Sequence, residues 1–449
     1  MITYSTIQKS QLEGALRLDA EYYQPEYLEI SEKLKTAQRV ADLTSDIRYG
    51  LYVEPEYKTE GVDFIRALNL LNFWIDGEIL KIDENKVPKS YRLRTADSLI
   101  VRSGANTGSV ALVDSRFNNA TFGSYTIRLR FNKINPFFAA VFLNTRYGVL
   151  QTQRLQTGMA QPNLNIPNIK EIRIPLVSEE KQKEIEKLCG RIEEEREKSE
   201  NLYSQAENLL LEDLEFKDFE VEDDLSYIVN LSEVKSAHRA DAEYFQPKYD
   251  KLVERIKKHG ADPLLSLAQN VAARFNPKSQ PTKLFQYVEL SNITSSVGTI
   301  DGFSEVSGDE APSRAKRVLK TNDVILSSVE GSLEKVALAG KEQEGYLASN
   351  GFFQFRSKDI LPEVLLVLAK SFILQMQFGK ETAGTILTAV PKEAVKNIVV
   401  PKVDKPTQLK IADLVQRSHK ARLDAKLLLE DAKLKVEQPL KNPTPPHQT

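Results

Sequence analysis

The feature that most constrains this 449-residue chain is an internal repeat. Residues 17–28, RLDAEYYQPEYL, recur at 239–250 as RADAEYFQPKYD. From Asp97 onward the offset is 226, so that DSLIVRSGANTGSVALV at 97–113 aligns with DVILSSVEGSLEKVALA at 323–339. Self-similarity at one period means that one structural unit is used more than once. We therefore predict two copies of one unit, with short insertions that shift the offset from 222 to 226.

Each copy is predicted to be a mixed α+β domain. Short runs rich in β-branched and aromatic residues, separated by Gly, Asn and Asp, are typical of strands. Pro136 and Pro362 then begin apolar segments with helical spacing, because proline fits the first turn of a helix. The predicted strands are 63–68, 99–101, 110–113 and 124–131 in the first copy, and 286–290, 324–327, 336–339 and 351–355 in the second.

A long polar stretch follows each copy and carries apolar or small residues at alternating spacings of three and four. The two stripes are Ile185, Leu188, Ile192, Glu195, Ser199, Leu202, Ala206 and Leu209, and, at offset 226, Ile411, Leu414, Ser418, Ala421, Ala425, Leu428, Ala432 and Lys435. A sustained stripe of this kind predicts two helices that pair as an antiparallel coiled coil. The alternative is two separate amphipathic helices, each on its own domain. The small residues favour pairing, because they allow close approach.

The predicted organisation has five segments: a first domain at 1–177, a long helix at 178–215, a second domain at 223–403, a second long helix at 404–437 and a disordered tail at 438–449.

Composition excludes several classes of site. A single cysteine, Cys189, excludes an intramolecular disulfide and any site built from several thiolates. The histidines are scattered at 238, 259, 419 and 447, so no pair has the spacing of metal ligands. We predict that this chain holds no metal and no cofactor.

The chain is also predicted to be cytoplasmic and to have no contact with a membrane. Residues 1–16 are polar where a signal peptide needs an apolar core. The most apolar stretch, 361–378, contains Glu363 and Lys370 and is interpreted as a buried helix.

These motifs resemble those of one family, the DNA specificity (S) subunit of type I restriction-modification systems. The segment GMAQPNLNIPNIKEIRIPLVSEEKQKEI at 158–185 resembles the end of the family's target recognition domain and the start of its long helix, with the glutamine at Gln182. The segment at 97–113 resembles the family's strand-loop-strand pattern, and DAEYYQP and DAEYFQP resemble the start of the domain in one branch. The second copy departs from the pattern at 384–402, and Glu330 and Glu334 replace Gly104 and Gly108.

The resemblance implies a non-catalytic subunit that serves in phage defence. Each domain would read one half-site of a split, asymmetric target in double-stranded DNA, and the helix pair would fix the gap. Family members dock two adenine methyltransferase (M) subunits, which use S-adenosylmethionine, and two ATP-driven restriction/translocase (R) subunits, where ATP and Mg are also expected. Two quasi-equivalent repeats would present one docking surface twice. Two alternatives stay open: the recognition subunit of a combined, type II-like enzyme, and a coiled-coil scaffold that binds protein.

Three near-motifs for catalysis have simpler structural interpretations. Residues 135–138, Asn-Pro-Phe-Phe, lack the second proline of an adenine-binding Asn-Pro-Pro-Phe loop and are predicted to begin a helix. Asp213, Glu215 and Lys217 lie in an acidic run that is predicted to be solvated. Residues 104–108 lack the Gly-Lys-Ser/Thr ending of a phosphate loop and are predicted to form a turn.

The near-neutral net charge of −2 is an average over unlike segments. Residues 1–177 carry a net charge of +3, residues 178–222 carry −9, residues 223–403 carry +1 and residues 404–449 carry +3. The acidity is concentrated in the first long helix and the residues after it. A local basic face on either domain is enough for phosphate contacts.

Candidate DNA contacts are basic and amide side chains at predicted turns. Arginine suits phosphate and bidentate guanine recognition, and asparagine suits the edge of adenine. Turns at 158–161 and 384–385 are predicted to join each domain to its helix. The candidates are Arg48, Tyr49, Arg66, Arg92, Arg94, Arg102, Asn106 and Asn118 in the first domain, and Arg274, Asn276, Lys278, Lys283, Arg314, Lys316, Arg317 and Ser328 in the second.

Overall fold

The computed structural model describes residues 4–12, 17–52, 56–71, 73–104, 106–158, 161–221, 223–384 and 388–441. The chain divides into two compact units, one formed by 1–196 with 423–449 and the other by 197–422. The boundaries between the units fall inside the two long helical stretches. Each unit therefore contains one repeat and a part of both stretches.

The first repeat alternates short strands with short helices. Its strands are β1 (Gln38–Arg39), β2 (Thr44–Tyr49), β3 (Tyr57–Lys58), β4 (Val62–Ile65), β5 (Leu70–Leu71), β6 (Trp74–Ile75), β7 (Leu80–Ile82), β8 (Ser98–Val101), β9 (Val110–Leu112), β10 (Thr121–Phe122), β11 (Thr126–Phe131) and β12 (Arg173–Ile174). Its helices are α1 (Pro25–Lys33), α2 (Val40–Leu43), α3 (Pro136–Leu143), α4 (Arg146–Leu155) and α5 (Ile166–Lys170), and the long helix α6 (Glu179–Asp213) follows.

The second repeat has the same plan. Its strands are β13 (Ala261–Pro263), β14 (Ala268–Asn270), β15 (Leu284–Val288), β16 (Ile293–Thr294), β17 (Thr299–Ile300), β18 (Ser304–Ser307), β19 (Ala315–Val318), β20 (Asp323–Ser327), β21 (Val336–Leu338), β22 (Leu347–Ser349), β23 (Phe352–Ser357) and β24 (Val399–Pro401). Its helices are α7 (Leu231–Ala237), α8 (Pro247–Lys258), α9 (Leu264–Leu267), α10 (Pro362–Lys370) and α11 (Phe372–Lys380), and the long helix α12 (Lys405–Lys441) follows.

One four-stranded antiparallel sheet is the same in both repeats. Its strand order is β2-β11-β8-β9 in the first and β14-β23-β20-β21 in the second. A second, mixed sheet shares the order β7-β4-β10 with its counterpart β18-β15-β22. The fourth strand of this sheet differs, because β3 pairs with β7 whereas β19 pairs with β22. The predicted mixed α+β repeat is thus confirmed, with different edge strands in the two copies.

Two predicted strands end earlier than expected. The strand predicted at 63–68 stops at Ile65, and the strand predicted at 286–290 stops at Val288. In both repeats an asparagine side chain ends the strand. Asn69 Oδ1 accepts a hydrogen bond from the Arg66 N–H at 2.9 Å, and Asn292 Oδ1 accepts one from the Glu289 N–H at 2.9 Å. Such local side-chain bonds compete with the sheet ladder.

The near-motif at 135–138 is a helix start, as predicted. Pro136 is the first residue of α3, and the Asn135 side chain accepts hydrogen bonds from the N–H groups of Phe137 at 3.0 Å and Phe138 at 3.3 Å. Phe138 is fully buried in the core. An asparagine cap followed by proline explains this sequence without a ligand.

The two long helices run antiparallel in both units. In the unit 1–196 with 423–449, Lys435 Nζ donates to Glu184 at 2.6 Å. In the unit 197–422, Ser418 Oγ donates to the Ser199 carbonyl at 2.7 Å, and the Thr407 hydroxyl donates to Asp213 at 2.8 Å. These partners progress in opposite directions along α6 and α12, which confirms the predicted antiparallel coiled coil.

The predicted stripes describe most of the buried helix surface. Ser199, Ala206, Ser418 and Ala425 are fully buried, as expected for positions that allow close approach. Leu209, by contrast, is half-buried, and the adjacent Leu210 is fully buried. Glu195, Leu414, Leu428 and Lys435 are likewise half-buried.

The second long helix extends beyond its predicted end. It was predicted to end at 437, and it continues to Lys441. Of the predicted disordered tail, 438–441 are therefore helical, and 442–449 lie outside the described residues.

The two glutamines at equivalent positions join each long helix to its domain. Gln182 accepts a hydrogen bond from the Asn135 N–H at 2.8 Å and donates to the Val177 carbonyl at 3.0 Å. Gln408 makes the equivalent bonds to the Leu361 N–H at 3.2 Å and the Val403 carbonyl at 3.0 Å. This repeated contact gives the glutamine a structural role at the start of the helix.

The repeated segments at 17–28 and 239–250 hold a tyrosine between two cations. The guanidinium carbons of Arg17 and Arg154 lie 4.2 and 4.1 Å from the centroid of the Tyr22 ring. In the second repeat, Arg239 lies 4.3 Å and the Lys380 ammonium 5.1 Å from the Tyr244 ring. The cation–π contacts account for the recurring Arg and Tyr. The recurring Asp pairs with the arginine, at 2.6 Å between Arg17 and Asp19 and at 2.8 Å between Arg239 and Asp241.

Candidate nucleic-acid interface

The two motifs that carry the family resemblance meet in space within the first repeat. The turn that follows β8 contacts the segment after α4. The Leu164 N–H donates to the Arg102 carbonyl at 2.7 Å, and the Thr107 hydroxyl donates to the Pro162 carbonyl at 3.1 Å. Gly108 adopts a φ of +93°, a conformation that disfavours side chains with a Cβ. The described part of this turn, Gly104 and 106–108, is therefore held by contacts within the domain.

The same junction exists in the second repeat. The Val390 N–H donates to the Ser328 carbonyl at 2.8 Å, and the Glu330 N–H donates to the Thr388 carbonyl at 3.0 Å. Glu330 and Glu334 therefore replace the two glycines without loss of the junction. Residues 159, 160 and 385 of the predicted turns lie outside the described residues.

Arg102 and Tyr49 form a stacked pair beside this junction. The Arg102 guanidinium carbon lies 4.7 Å from the Tyr49 ring centroid, and the Tyr49 hydroxyl accepts a hydrogen bond from the Ile166 N–H at 3.1 Å. Gly50 follows, where an added Cβ would lie 2.1 Å from the Gly123 carbonyl oxygen. This close approach requires glycine and fixes where β2 ends. Asn106, in the turn itself, is half-buried.

Arg48 lies in a charged cluster on one face of the four-stranded sheet. Its guanidinium lies 5.3 Å from the Tyr91 ring centroid and 3.2 Å from Asp46. Asp46 also accepts from Arg128, which is 1% exposed. Burial raises the pKa of Asp46, but the bond from Arg128 and the charges of both arginines outweigh it, so the pKa is lower than usual.

Of the other candidates in the first domain, two form hydrogen bonds within the domain and two are exposed. Arg66 donates to the Glu78 carbonyl at 3.0 Å, and Arg92 donates to the Asn119 carbonyl at 3.0 Å and to Glu84 at 3.1 Å. Arg94 and Asn118 are exposed. Arg66 and Arg92 therefore already stabilise loops of the domain, while Arg94 and Asn118 lie at its surface.

In the second domain, four candidates surround one groove of about 380 Å³. All four are exposed. Three lie on the segment after β14, and the fourth lies on β19, the additional edge strand of this repeat. None of the ten described residues that line the groove is acidic. The four candidates are Arg274, Asn276, Lys278 and Lys316.

Two candidates of the second domain make internal contacts instead. Arg317 is 3% exposed and donates to the Val271 carbonyl, and burial lowers its pKa to about 10. The Ser328 hydroxyl donates to the Gly351 carbonyl at 2.8 Å. Arg317 and Lys316 are adjacent on β19, and adjacent residues on a strand face opposite sides of the sheet. The structure therefore places Arg317 inside the domain rather than at its surface.

The remaining two candidates are exposed. Lys283 lies with its ammonium 5.0 Å from the Phe285 ring centroid, and Arg314 precedes β19.

Two exposed tyrosines near the first-domain candidates were not among the residues selected from the sequence. Tyr52 is 94% exposed and follows Gly50, and Tyr125 is 62% exposed and accepts a hydrogen bond from the Arg102 N–H at its carbonyl. Aromatic rings beside arginines are a known means of contacting nucleic acid. The signal in the sequence is aromatic residues at turns, next to the basic residues that were selected.

The residues weighed as catalytic groups have structural partners. The described residues contain no cluster of three or more His, Cys, Asp or Glu side chains that could hold a metal ion. Burial raises the pKa of the Cys189 thiol to about 12, so it remains protonated. Asp213 accepts from the Thr407 hydroxyl, Glu215 lies 3.7 Å from Arg255, and Lys217 pairs with Glu212. In the described part of the chain, no helix is both long enough and apolar enough to cross a membrane.

Comparison with known structures finds matches that extend over most of the chain, of which we describe three. The crystal structure of the type I restriction-modification system S subunit from M. genitalium is 14% identical, covers 92% of this chain and 96% of its own, and has a TM-score of 0.37. The HsdS subunit from Thermoanaerobacter tengcongensis is 13% identical, with 90% and 96% covered and a TM-score of 0.29.

The third structure is described by the words "Structural basis underlying complex assembly and conformational transition of the type I R-M system". It is 12% identical, with 90% of this chain and 95% of that chain covered and a TM-score of 0.28. Comparison with curated protein sequences finds no match.

A family model gives the more specific result. Residues 51–202 match the type I restriction modification DNA specificity domain. The matched range contains both motifs, at 97–113 and 158–185, and ends inside α6. The matched domain is one for DNA specificity, in agreement with the prediction of a non-catalytic chain. Over residues 51–202 this chain is thus similar to the specificity domain of type I restriction-modification systems, which confirms for the first repeat the resemblance drawn from its motifs.

Proposed function

We propose that this chain is the DNA sequence-specificity subunit of a type I restriction-modification complex and reads a bipartite, asymmetric target, one half-site per domain. The observation that carries the proposal is the match of residues 51–202 to a DNA specificity domain. The second repeat has the same order of strands in its antiparallel sheet and the same junction between its two motifs. A scaffold for specificity is therefore present twice in one chain.

The groove of the second domain suits a nucleic-acid backbone. Arg274, Lys278 and Lys316 place three cations around it, and Asn276 adds an amide that can recognise adenine. Each phosphate that a protein neutralises releases counterions, so affinity for DNA falls as salt rises. The groove supports a DNA contact here despite the near-neutral charge of the whole chain.

In the first domain the proposed contacts form two groups, one around Arg102 with Tyr49 and one around Arg48, because Arg48 and Tyr49 are adjacent on β2 and face opposite sides of the sheet. Both guanidinium groups stack on tyrosine rings, which keeps their planes oriented for bidentate bonds to guanine or phosphate. Arg94, Asn106, Asn118 and Tyr49 lie in the turns and strand ends of the same domain. Arg66 and Arg92 are proposed to act mainly by holding the loops that present these residues.

The partners follow from the family resemblance. In the proposed complex the chain positions two adenine methyltransferase subunits and two restriction/translocase subunits, which supply the sites for S-adenosylmethionine, ATP and Mg. It acts in the cytoplasm, where incoming phage DNA is met. The antiparallel helix pair fixes the gap between the half-sites.

The test is adenine-methylome sequencing of cells that carry the chain with its neighbouring methyltransferase, compared with cells in which the chain is deleted. We expect a bipartite adenine-methylation motif that disappears on deletion. An unchanged methylome overturns the proposal and favours a protein-binding scaffold. If the chain copurifies with one polypeptide that contains both methyltransferase and nuclease domains, the combined-enzyme alternative is correct.

A domain exchange sharpens the test. Replacement of residues 1–177 by the corresponding domain of another specificity subunit is expected to change one half-site and leave the other intact. Insertion of one heptad into each of α6 and α12 is expected to change the gap and leave both half-sites intact. The unmodified chain in the same cells is the control for both.

A further inference from the structure

A buried arginine on each long helix reaches the same place in its own repeat. Arg196 of α6 and Arg422 of α12 are separated by the repeat offset, and each is 5% exposed. Their partners include Asp76 and Asp301, the aspartates of the two Asp-Gly pairs that follow the hairpins β5-β6 and β16-β17. A buried charge is retained only where partners compensate its desolvation.

The contact in the first repeat is distributed over several partners. Arg196 lies 3.9 Å from Asp76 and 3.5 Å from Asp114, donates to the Ile75 carbonyl at 3.4 Å, and stacks 4.6 Å from the Trp74 ring centroid. Since Trp74 and Ile75 form β6, one helix side chain contacts the whole second strand of the hairpin.

The contact in the second repeat includes two bonds to one carboxylate oxygen. Arg422 Nε and an Nη nitrogen each lie 3.0 Å from the same oxygen of Asp301, and the Thr294 hydroxyl donates to that oxygen at 2.7 Å. Thr294 belongs to β16, so the aspartate also links the two strands of its hairpin. Different side chains thus make one kind of link, from helix to hairpin, in both repeats.

We propose that Arg196 and Arg422 are positioning residues that hold each recognition domain in one orientation on its helix and so restrict the gap between the two half-sites. This inference rests on the proposed function. A change of one base pair moves a half-site by about 3.4 Å and turns it by about 34° around the DNA axis. A domain that can rotate on its helix therefore tolerates gaps that a fixed domain excludes.

The variants are Arg196→Gln and Arg422→Gln, made separately in the full chain. Arg191→Gln and Arg417→Gln are the matched controls, because these arginines lie on the same two helices and are exposed. Arg196→Lys and Arg422→Lys keep the charge but lose the planar fork that reaches several acceptors. The lysine variants replace the glutamine variants in the test if the glutamine variants do not accumulate as folded protein in the cells.

The readout is the spacing in the adenine methylome of cells that also carry the methyltransferase. We expect one gap for the unmodified chain and both controls. In the arginine variants we expect gaps one base pair longer or shorter to be methylated as well, with unchanged half-site sequences and a preference for the original gap that is weaker by about ten-fold. A single, unchanged gap in the Gln and Lys variants of both arginines overturns the inference.

Hydrogen exchange separates a positioning role from general destabilisation. In Arg196→Gln, faster exchange is expected at residues 70–77, with 293–301 unchanged, and Arg422→Gln should show the reverse. Faster exchange across the entire unit contradicts a local link. The proposed function fails separately, if the unmodified chain directs no bipartite methylation at all.

Discussion

The buried polar residues of the antiparallel sheet differ between the two repeats, although the strand order is the same. In the first repeat Arg128 donates to Asp46 and, at 3.0 Å, to the Arg92 carbonyl. In the second, Gln354 occupies the equivalent position and donates to Asp323 at 2.7 Å. A different arginine, Arg317 on the additional edge strand β19, is buried nearby against the Val271 carbonyl.

The exposed surfaces differ as well. The first domain presents arginines that stack on tyrosines, as Arg102 does on Tyr49, and the second presents Arg274, Lys278 and Lys316 around an open groove. One contact is common to both, the link between Asp97 or Asp323 and the arginine on the adjacent strand. The strand order of the antiparallel sheet is thus the same in both repeats while the candidate contact residues differ, as we expect if the two domains read different half-sites, as proposed.

The largest effect is expected from the buried arginine of the first repeat. Arg128→Met removes a fully buried guanidinium and leaves the half-buried Asp46 with one arginine partner fewer, and we expect a loss of about 3 kcal/mol in the free energy of unfolding. Arg317→Met is the counterpart in the second repeat. Because no acidic group is seen to pair with Arg317 among the described residues, we expect a loss below about 1 kcal/mol. Urea unfolding, monitored in each repeat by hydrogen exchange, measures the loss of unfolding free energy for both variants. Equal losses for Arg128→Met and Arg317→Met would contradict the expected difference.

The groove is tested by charge reversal. Arg274→Glu, Lys278→Glu and Lys316→Glu together are expected to weaken binding to DNA that carries the target by about 100-fold, with a salt slope lower by about 3. The matched control reverses the exposed lysines Lys257, Lys258 and Lys392, which do not line the groove. Electrophoretic mobility shifts over a series of salt concentrations give both quantities, and an equal loss in the control would show that the groove is not the contact.

A smaller effect is expected where one repeat receives the residue of the other. Ser328 stands where the first repeat has Arg102, so Arg102→Ser removes the stacked guanidinium. We expect about ten-fold weaker binding to the first half-site and a salt slope lower by about 1. Ser328→Ala removes only a bond to the Gly351 carbonyl and should leave the second half-site unchanged. Competition with duplexes that carry one half-site each measures binding to the two half-sites separately. An equal loss for Ser328→Ala would refute the assignment of a DNA contact to Arg102 alone of this pair.

The smallest effect concerns pH. His419 donates from Nε2 to the Val297 carbonyl at 2.8 Å, and burial lowers its pKa despite that bond and the nearby Asp301 and Glu363. The unfolded chain therefore binds more protons than the folded chain below about pH 6.5, so stability falls as the pH decreases. His419→Gln should reduce this dependence.

The first repeat supplies the control for this effect, because Glu193 occupies the position of His419. Hydrogen exchange at 293–301 should accelerate between pH 7.5 and 5.5, after correction for the intrinsic rate, and exchange at 70–76 should change less. Equal acceleration at both hairpins would remove His419 as the cause.

Much of the fold followed from local sequence patterns. The repeat, the helix starts at Pro136 and Pro362, and the antiparallel helices each depend on spacing or on residues that lie close together in sequence. The candidate site was predicted less completely. Arg317 and Lys316 are adjacent and chemically similar, yet one is buried and the other lines the groove, because the pairing of β19 with β22 decides which side each residue faces.

The sequence by itself determined that this chain contains two copies of one α+β unit and two long helices, since periodicity survives without knowledge of distant contacts. Only the tertiary structure decided that each compact unit combines one repeat with parts of both helices, and that Arg196 and Arg422 reach the aspartates after the hairpins, Asp76 and Asp301. These contacts join residues more than 100 positions apart. They depend on packing between elements, which no local pattern encodes.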